Sequence, residues 1–514
     1  MKHNLVTIPA SAAGIRLSVW LAKNGYPVSA DCGGKGTCGK CRVLVVSGSF
    51  FADAAMTSIE APDADGMIRS CHAWCPDTGA QIQLEQTVGG GLTAFSAEPE
   101  EGAEPARHDS AQTLGTALDI GTTTLAMALV DIDSGEIVRT VSRRNPQRSF
   151  GADVMSRIGA VIENEENLQL QQTVLLTEVR SMYAQLCDGL PSARMPREMT
   201  VAGNTTMLHL FCGISPAGMG AYPFTPAFLD LRRIPGGTLS LPVETVTVTP
   251  GAHAFIGGDV TAGMLLLRLS EEHEPVMLID IGTNGEMVLF TGTDHGGRYY
   301  AASAAAGPAL EGAGISTGVG GIVGAVSAVS AVNGQLITKT IGDQPPLGIC
   351  GSGLIDLAAI LLDRAELDET GCLETDPFPY AEAEDGSALC LTQEDVRALQ
   401  LAKSAIRAGM EALCDAAGVP LTALSRVCIA GGLGYYMNMD SAAAIGLFPA
   451  ELRPKLVSVG NTALGGAALL LSSPALAERI SAEAAAVQTI DLNRSAAFNE
   501  LFIEYMMFPS EEEW

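Results

Sequence analysis

The 514-residue sequence predicts a multidomain α/β protein, and three features carry that prediction. A cysteine- and glycine-rich loop lies among short strand-like runs near the N-terminus. A stretch of linker composition follows it. The remainder alternates apolar strands with helical segments and repeats one strand–turn–strand pattern after about 160 residues, the signature of an internal duplication with a site between its halves.

The chain is too long for one ordinary core. Its 30 Lys+Arg against 58 Asp+Glu give a formal net charge of −28, which repels phosphate backbones and anionic lipid. No nucleic-acid partner and no membrane partner are therefore expected. The start, MKHNLVTIPASAAG, lacks a signal-peptide apolar core, and runs such as GMLLLRL fall short of a membrane span. A cytoplasmic protein is expected, and in that compartment twelve cysteines argue against a disulfide framework. The seven from Cys187 to Cys428 are widely spaced and read as small core residues.

Residues 1–86 read as a small unit: strand NLVTIP, helix RLSVWLAKNG, the cysteine loop, strand CRVLVV and a closing strand AQIQLEQTV. Cys32, Cys38 and Cys41 give C-x5-C-x2-C, and Cys71 follows as a distant fourth. A [2Fe–2S] cluster needs four thiolates converging from a loop and one distant point, and Gly33, Gly34, Gly36 and Gly39 let the loop curl so that N–H groups face the sulfurs. The plant-type spacing is one residue shorter, so this is a variant of it. A zinc ribbon would pair two C-x2-C knuckles, whereas the second here would be CHAWC, with three intervening residues. Cys75 competes with Cys71; IRSC directly after Met67 and Ile68 favours Cys71. Residues 87–113, rich in Gly, Ala, Pro and Glu, read as a flexible linker.

Residues 114–275 and 276–514 read as two halves, each opening on an apolar strand, a polar turn and a second apolar strand. The turns are DIGTTT, Asp119 to Thr124, and DIGTNGE, Asp280 to Glu286. Hairpins with Gly and Thr at the tip wrap nucleotide phosphates, while an Asp at the strand end holds Mg²⁺ through water. No Walker A motif, G-x4-G-K-[ST], is found, which disfavours a P-loop NTPase. Asp259, in GGDVTAG, is read either as orienting a hydrolytic water or as capping the helix that follows.

The order of motifs resembles the superfamily of sugar kinases, heat-shock ATPases and actin, the ASKHA fold of two RNase H-like halves. Phosphate 1 is LDIGTTT, connect 1 lies near VAGNTTMLHL, phosphate 2 is IDIGTNGE, the adenosine motif is CIAGGLG and connect 2 is VGNTALGGAALL. The resemblance implies that Asp119 and Asp280 organise Mg²⁺; Asp259 is the third candidate catalytic residue, on the first of its two readings. It implies that Gly121, Thr122, Thr123, Thr124, Asn204, Thr205, Gly282, Thr283 and Asn284 bind the phosphates of ATP. Gly431, Gly432 and Gly434 would approach adenine and ribose.

A plant-type, β-grasp ferredoxin unit joined to an ASKHA ATPase resembles the reductive activators of corrinoid-dependent methyltransfer proteins. The cluster loop, NPQRSFGADVMSRI, VAGNTTMLHL, FIGGDVTAGM, GICGSGLID and FNELFIEYMMFP carry this likeness over nearly the whole chain. It implies ATP-dependent return of a corrinoid protein from Co(II) to Co(I), an external low-potential electron donor and a homodimer. The chain lacks D-x-H-x-x-G, the usual cobalamin-attachment pattern, so the corrinoid would belong to a corrinoid protein or corrinoid-dependent methyltransferase. Alternatives are a small-molecule phosphotransferase with a regulatory ferredoxin, an activator of another low-potential metalloenzyme such as a radical dehydratase, and a nucleotide-binding redox sensor.

Overall fold

The computed structural model describes residues 4–24, 26, 28, 41–84 and 113–510. Cys32, Cys38 and nearly all of the expected linker lie outside the described residues.

The N-terminal unit is a four-stranded sheet in the order Asn4–Ile8, Ala80–Leu84, Arg42–Ser47, Met67–Arg69, with each neighbouring pair antiparallel. The helix Leu17–Lys23 contributes Leu17, Trp20 and Leu21 to a core with Val6, Ile8, Val43, Ile68 and Ile82. On its other side the helix seats Val19 against Phe150 and Val174 of the following body.

The body is a duplication. Its first sheet contains the order Thr245–Val248, Glu198–Gly203, Leu114–Ile120, Thr124–Asp131, Ile137–Arg144; the second contains Leu456–Gly460, Arg426–Ala430, Val276–Ile281, Gly285–Phe290, Tyr299–Ala304. In each, the first three strands of the chain form an antiparallel meander and the last two add in parallel on the side of the first. The central strands are apolar almost throughout because helices cover both faces. Period-two alternation sorts their residues: Leu118, Ile120, Met127 and Leu129 pack on the outer helices, while Ala117, Ala126, Ala128 and Val130 face inward.

Between the inner faces lie two helices, Gly258–Leu266 and Thr462–Ser472. The second belongs to the later part of the chain yet packs Ala463, Leu464, Ala467 and Leu471 on the first sheet, whereas Val260 and Met264 of the first reach the second sheet. Small residues allow the two backbones to meet. A Cβ at Gly466 would lie 2.1 Å from Ala262 O, and one at Gly263 would lie 2.8 Å from Thr462 Oγ1. The helix crossing connect 2 is therefore Gly258–Leu266; the sequence placed connect 1 near VAGNTTMLHL, Val201 to Leu210, whose helix Thr205–Cys212 instead packs against Glu166–Leu186 on the outer face of the first sheet.

Of the scattered cysteines, Cys187, Cys350, Cys414 and Cys428 are buried, Cys212 and Cys390 are half-buried, and Cys372 is exposed in a loop rather than in a core. No helix among the described residues is long and apolar enough to cross a membrane.

The Gly466→Val variant, whose side chain has only the Ala262 carbonyl to enter, is expected to lose about 2 kcal/mol or more. Gly159→Ala, with nothing within 4 Å of its Cβ, is expected to be neutral or slightly stabilising, by up to about 1 kcal/mol. Urea unfolding midpoints of the two variants check the contrast.

Candidate functional site

The two hairpin tips come together at the mouth of the space between the sheets. Ile120 pairs with Leu125 and Ile281 with Gly285, which leaves Gly121–Thr124 and Gly282–Asn284 as the turns. Each is closed the same way: Gly121 N–H donates to Thr124 O at 3.0 Å, and Gly282 N–H donates to Asn284 O at 2.9 Å. The glycine N–H groups thus shape the turns, and the hydroxyls of Thr122, Thr123 and Thr283 are the polar groups presented beyond them.

The first turn is held from behind. Asn145, fully buried, donates its N–H to Thr123 O at 2.8 Å and its Nδ2–H to Gly121 O at 2.8 Å. Arg157, also fully buried, donates to Thr122 O at 2.6 Å and to Gly151 O at 3.0 Å. Burial pulls the Arg157 guanidinium down to about 9, while Asp153 and Glu311 hold it up. It remains a cation at neutral pH, fixed beneath the turn.

Two asparagines do matching work. Asn204 caps the helix Thr205–Cys212, its Oδ1 accepting from Met207 N–H at 2.9 Å, and donates Nδ2–H to Thr122 Oγ1 at 3.0 Å. Asn461 caps the helix Thr462–Ser472 through Leu464 N–H at 2.8 Å and donates Nδ2–H to Asp119 Oδ2 at 2.9 Å, across the two halves. An N-cap satisfies an orphan helix donor with its oxygen, and asparagine keeps an amide N–H for a second partner. Asn461 was not singled out from the sequence, although G-N-T recurs at 203–205 and 460–462.

Asp119, Asp259 and Asp280 face one another, each half-buried. Desolvation first, then neighbouring carboxylates, push all three up to about 7; Asn461 opposes the rise at Asp119. Glu286 is raised well above its ordinary value by burial, Asp259 and Asp280. Asp259 does not cap its helix: Gly257 stands at the N-cap, and Asp259 Oδ1 accepts from Val260 N–H at 2.8 Å while its charge faces Asp119. Glu311, also not singled out from the sequence, joins the turns by accepting from Thr123 Oγ1 at 2.7 Å and Thr283 Oγ1 at 3.2 Å.

The glycines of the adenosine motif divide. Gly431, at φ +90°, lies over the second aspartate; a Cβ there would sit 2.8 Å from Asp280 Oδ1. Gly432 is exposed at the start of the helix Gly432–Tyr436. Gly434 turns inward, where a Cβ would lie 2.9 Å from Ile429 O, so helix–strand packing accounts for it. Thr205 also departs from the expected role. It is buried at the first position of its helix, and its hydroxyl is committed to His253 O at 2.7 Å.

In the N-terminal unit, Cys41 and Cys71 are buried with their sulfurs 3.2 Å apart. The Cys71 thiol holds Cys41 down to about 6 against the opposing effect of burial. Cys75 packs into the core beside Val6 and Leu17, where burial pushes it up to about 12. A buried thiol of this kind is inert, whereas the sulfurs of Cys41 and Cys71 converge on each other.

Family comparison adds three adjoining matches. A 2Fe-2S iron-sulfur cluster binding domain matches residues 4–74, the RACo middle region matches 114–272, and the C-terminal domain of RACo, its ASKHA domain, matches 274–513. The corrinoid activation enzyme RamQ of Eubacterium limosum is 34% identical over 421 residues, 77% of this chain and 70% of that protein. A [Co(II) methylated amine-specific corrinoid protein] reductase of Methanosarcina barkeri is 28% identical, covering 68% of each. A solved reductive activator for corrinoid,iron-sulfur protein superposes with a TM-score of 0.72 at 28% identity, covering 98% of this chain and 96% of that one. With a ferredoxin unit, a duplicated body and full-length likeness of this extent, the chain belongs to the RACo family of corrinoid activation enzymes.

Proposed function

We propose that this chain returns a corrinoid protein from Co(II) to Co(I), one electron passing from an external low-potential donor through a [2Fe–2S] cluster held by Cys32, Cys38, Cys41 and Cys71. ATP between the two halves drives the cycle. The observation that carries this reading is the presence, in one chain, of a buried thiol pair at 3.2 Å and a cleft where two phosphate-type turns meet facing carboxylates.

When bound, the cluster supplies one-electron transfer near about −400 mV if it behaves as plant-type centres do. Each further 100 mV required by the acceptor costs about 2.3 kcal/mol per electron, which is where nucleotide energy enters. Thr122, Thr123 and Thr283 would face the phosphates, with Arg157 as the fixed cation behind the first turn. Asp119 and Asp280 would hold Mg²⁺ through its waters. Among the described residues no three Asp, Glu, His or Cys side chains converge on a single point as direct ligands, and Mg²⁺ characteristically keeps several waters and takes phosphate oxygens. Carboxylates raised by burial first and by one another's charge second are a site in want of a cation.

The redox unit is within mechanical reach of the nucleotide. The helix Leu17–Lys23, whose end leads toward the cysteine loop, rests through Val19 on Phe150, at the end of the turn Pro146–Ser149 that follows Asn145. Asn145 holds Gly121 and Thr123. Hinge closure around ATP would move this support and with it the ferredoxin unit.

The reading is tested by mixing reduced protein, ATP and a Co(II) corrinoid protein and following Co(I) absorbance; reduction that proceeds equally without ATP would sink it. Cys71→Ser is expected to lose or strongly perturb the [2Fe–2S] EPR signal, whereas Cys75→Ser keeps it, with at most a stability loss from the core.

Asp280→Asn is expected to lower ATP turnover about 10²-fold or more with an unchanged cluster spectrum; steady-state phosphate release measures it. The raised carboxyls also predict a pH effect. Their folded pKa of about 7 lies above the unfolded value near 4, so the folded state binds more protons between those limits. Stability of the nucleotide-free body therefore falls as pH rises from about 4 to about 7 and levels off above. The decline in melting temperature across that window should be shallower in Asp280→Asn than in the parent.

A further inference from the structure

Glu311 lies in a turn that the mechanism above does not use. It closes the 3-10 turn Pro308–Glu311, and the flanking glycines Gly307 and Gly312 have φ of +77° and +75°. Its Oε2 accepts from Thr123 of the first half at 2.7 Å and from Thr283 of the second at 3.2 Å. A Cβ at Gly282 would lie 3.1 Å from Oε1, so the carboxylate sits directly against the second turn. The nearby cation, Arg157, has its guanidinium committed to Thr122 O, Gly151 O and Met207 Sδ.

These are the donors that a phosphate at this place would use: two threonine hydroxyls from opposite halves. A carboxylate and a phosphoryl group are both anionic acceptors, and one set of donors cannot serve both. A polyphosphate entering the cleft would also meet the Glu311 charge at hydrogen-bond range. Accepting this as the ATP site, on which the inference rests, we infer that Glu311 is a placeholder for the terminal phosphates. In the nucleotide-free chain its carboxylate takes their donors and bridges the halves, and the triphosphate displaces it.

Displacement has a route outward. Downstream of Gly312, Ser316 donates its N–H and hydroxyl to Asp395 Oδ1 at 2.7 and 3.0 Å. Asp395 is half of the capping box that starts the long helix Gln393–Ala417. Glu311 thus acts through the threonines and the turn as a positioning residue that distinguishes nucleotides carrying terminal phosphates from those without.

The test is calorimetric titration of the cluster-loaded full chain with Mg²⁺ and a non-hydrolysable ATP analogue, and separately with AMP. In Glu311→Gln and Glu311→Ala, the analogue is expected to bind roughly tenfold tighter than in the parent, with AMP affinity unchanged. Unchanged or weaker analogue binding in both variants would overturn the placeholder and make Glu311 a ligand or a scaffold. Parent protein that binds neither nucleotide would overturn the ATP reading itself, and the placeholder with it. Hydrogen exchange on the parent needs no variant to fold: residues 307–314 should exchange faster with the analogue and not with AMP. Slower or unchanged exchange with the analogue counts against the inference.

Discussion

The contact on which the rest of the structure depends is the one between the helices Gly258–Leu266 and Thr462–Ser472. Their backbones approach at Gly263, Gly466 and Ala262 because no side chains intervene; Gly258–Leu266 reaches both sheets, and Thr462–Ser472, from the later half of the chain, packs on the first. The consequence is at their N-termini. One carries Asp259 in its first turn, and the other is capped by Asn461, whose amide holds Asp119. Larger residues in the crossing would separate two sheets; they would also pull apart the groups that face one another above it.

Those groups are in conflict until a ligand arrives. Asp119, Asp259 and Asp280 are all pushed toward neutrality by burial and by one another, and Glu286 and Glu311 rise with them. Burial is the first cause of the rise and the neighbouring carboxylates the second. Arg157 is bonded to the first turn's carbonyl, and its charge offsets part of the rise at Glu311. In the proposed function a cation with phosphate ligands would relieve the rest, and the repulsion among the carboxylates would then be part of the affinity for that cation.

The features legible in the sequence were those whose partners lie close along the chain. The two D-I-G-T turns, the alternation that makes their strands central and the doubling of the fold all follow from local pattern. The groups that sequence reading passed over act at long range: Glu311 meets Thr123 across 188 positions and Asn461 meets Asp119 across 342. Motif neighbours misled in the opposite direction. Thr205 and Gly434 stand beside functional positions, but a helix start requires one and a helix–strand contact requires the other. Connect 1 was misplaced for a related reason: VAGNTTMLHL ends in an apolar helix like connect 2, but it lacks the Ala-Gly pair that lets two helices touch. The repeated G-N-T was the local trace of Asn461, and only the asparagine of the earlier copy was picked out.

The joining of nucleotide to electron follows from where the first turn is anchored. A ligand shifts an equilibrium only by the difference in its affinity for two states, so ATP influences the ferredoxin unit only through a contact that differs between them. Asn145 is bonded to the phosphate-type turn at two points and begins the segment that ends in Phe150, the residue on which Val19 rests. The contact at Phe150 is small and apolar, with partly buried Val19, Ala160 and Leu170 around it. In the proposed cycle this contact would have to break and reform, which a large core would prevent. Under the proposed function a carrier that meets both a donor and a cobalt centre needs a seat it can leave, and the nucleotide turn would be the means of loosening it.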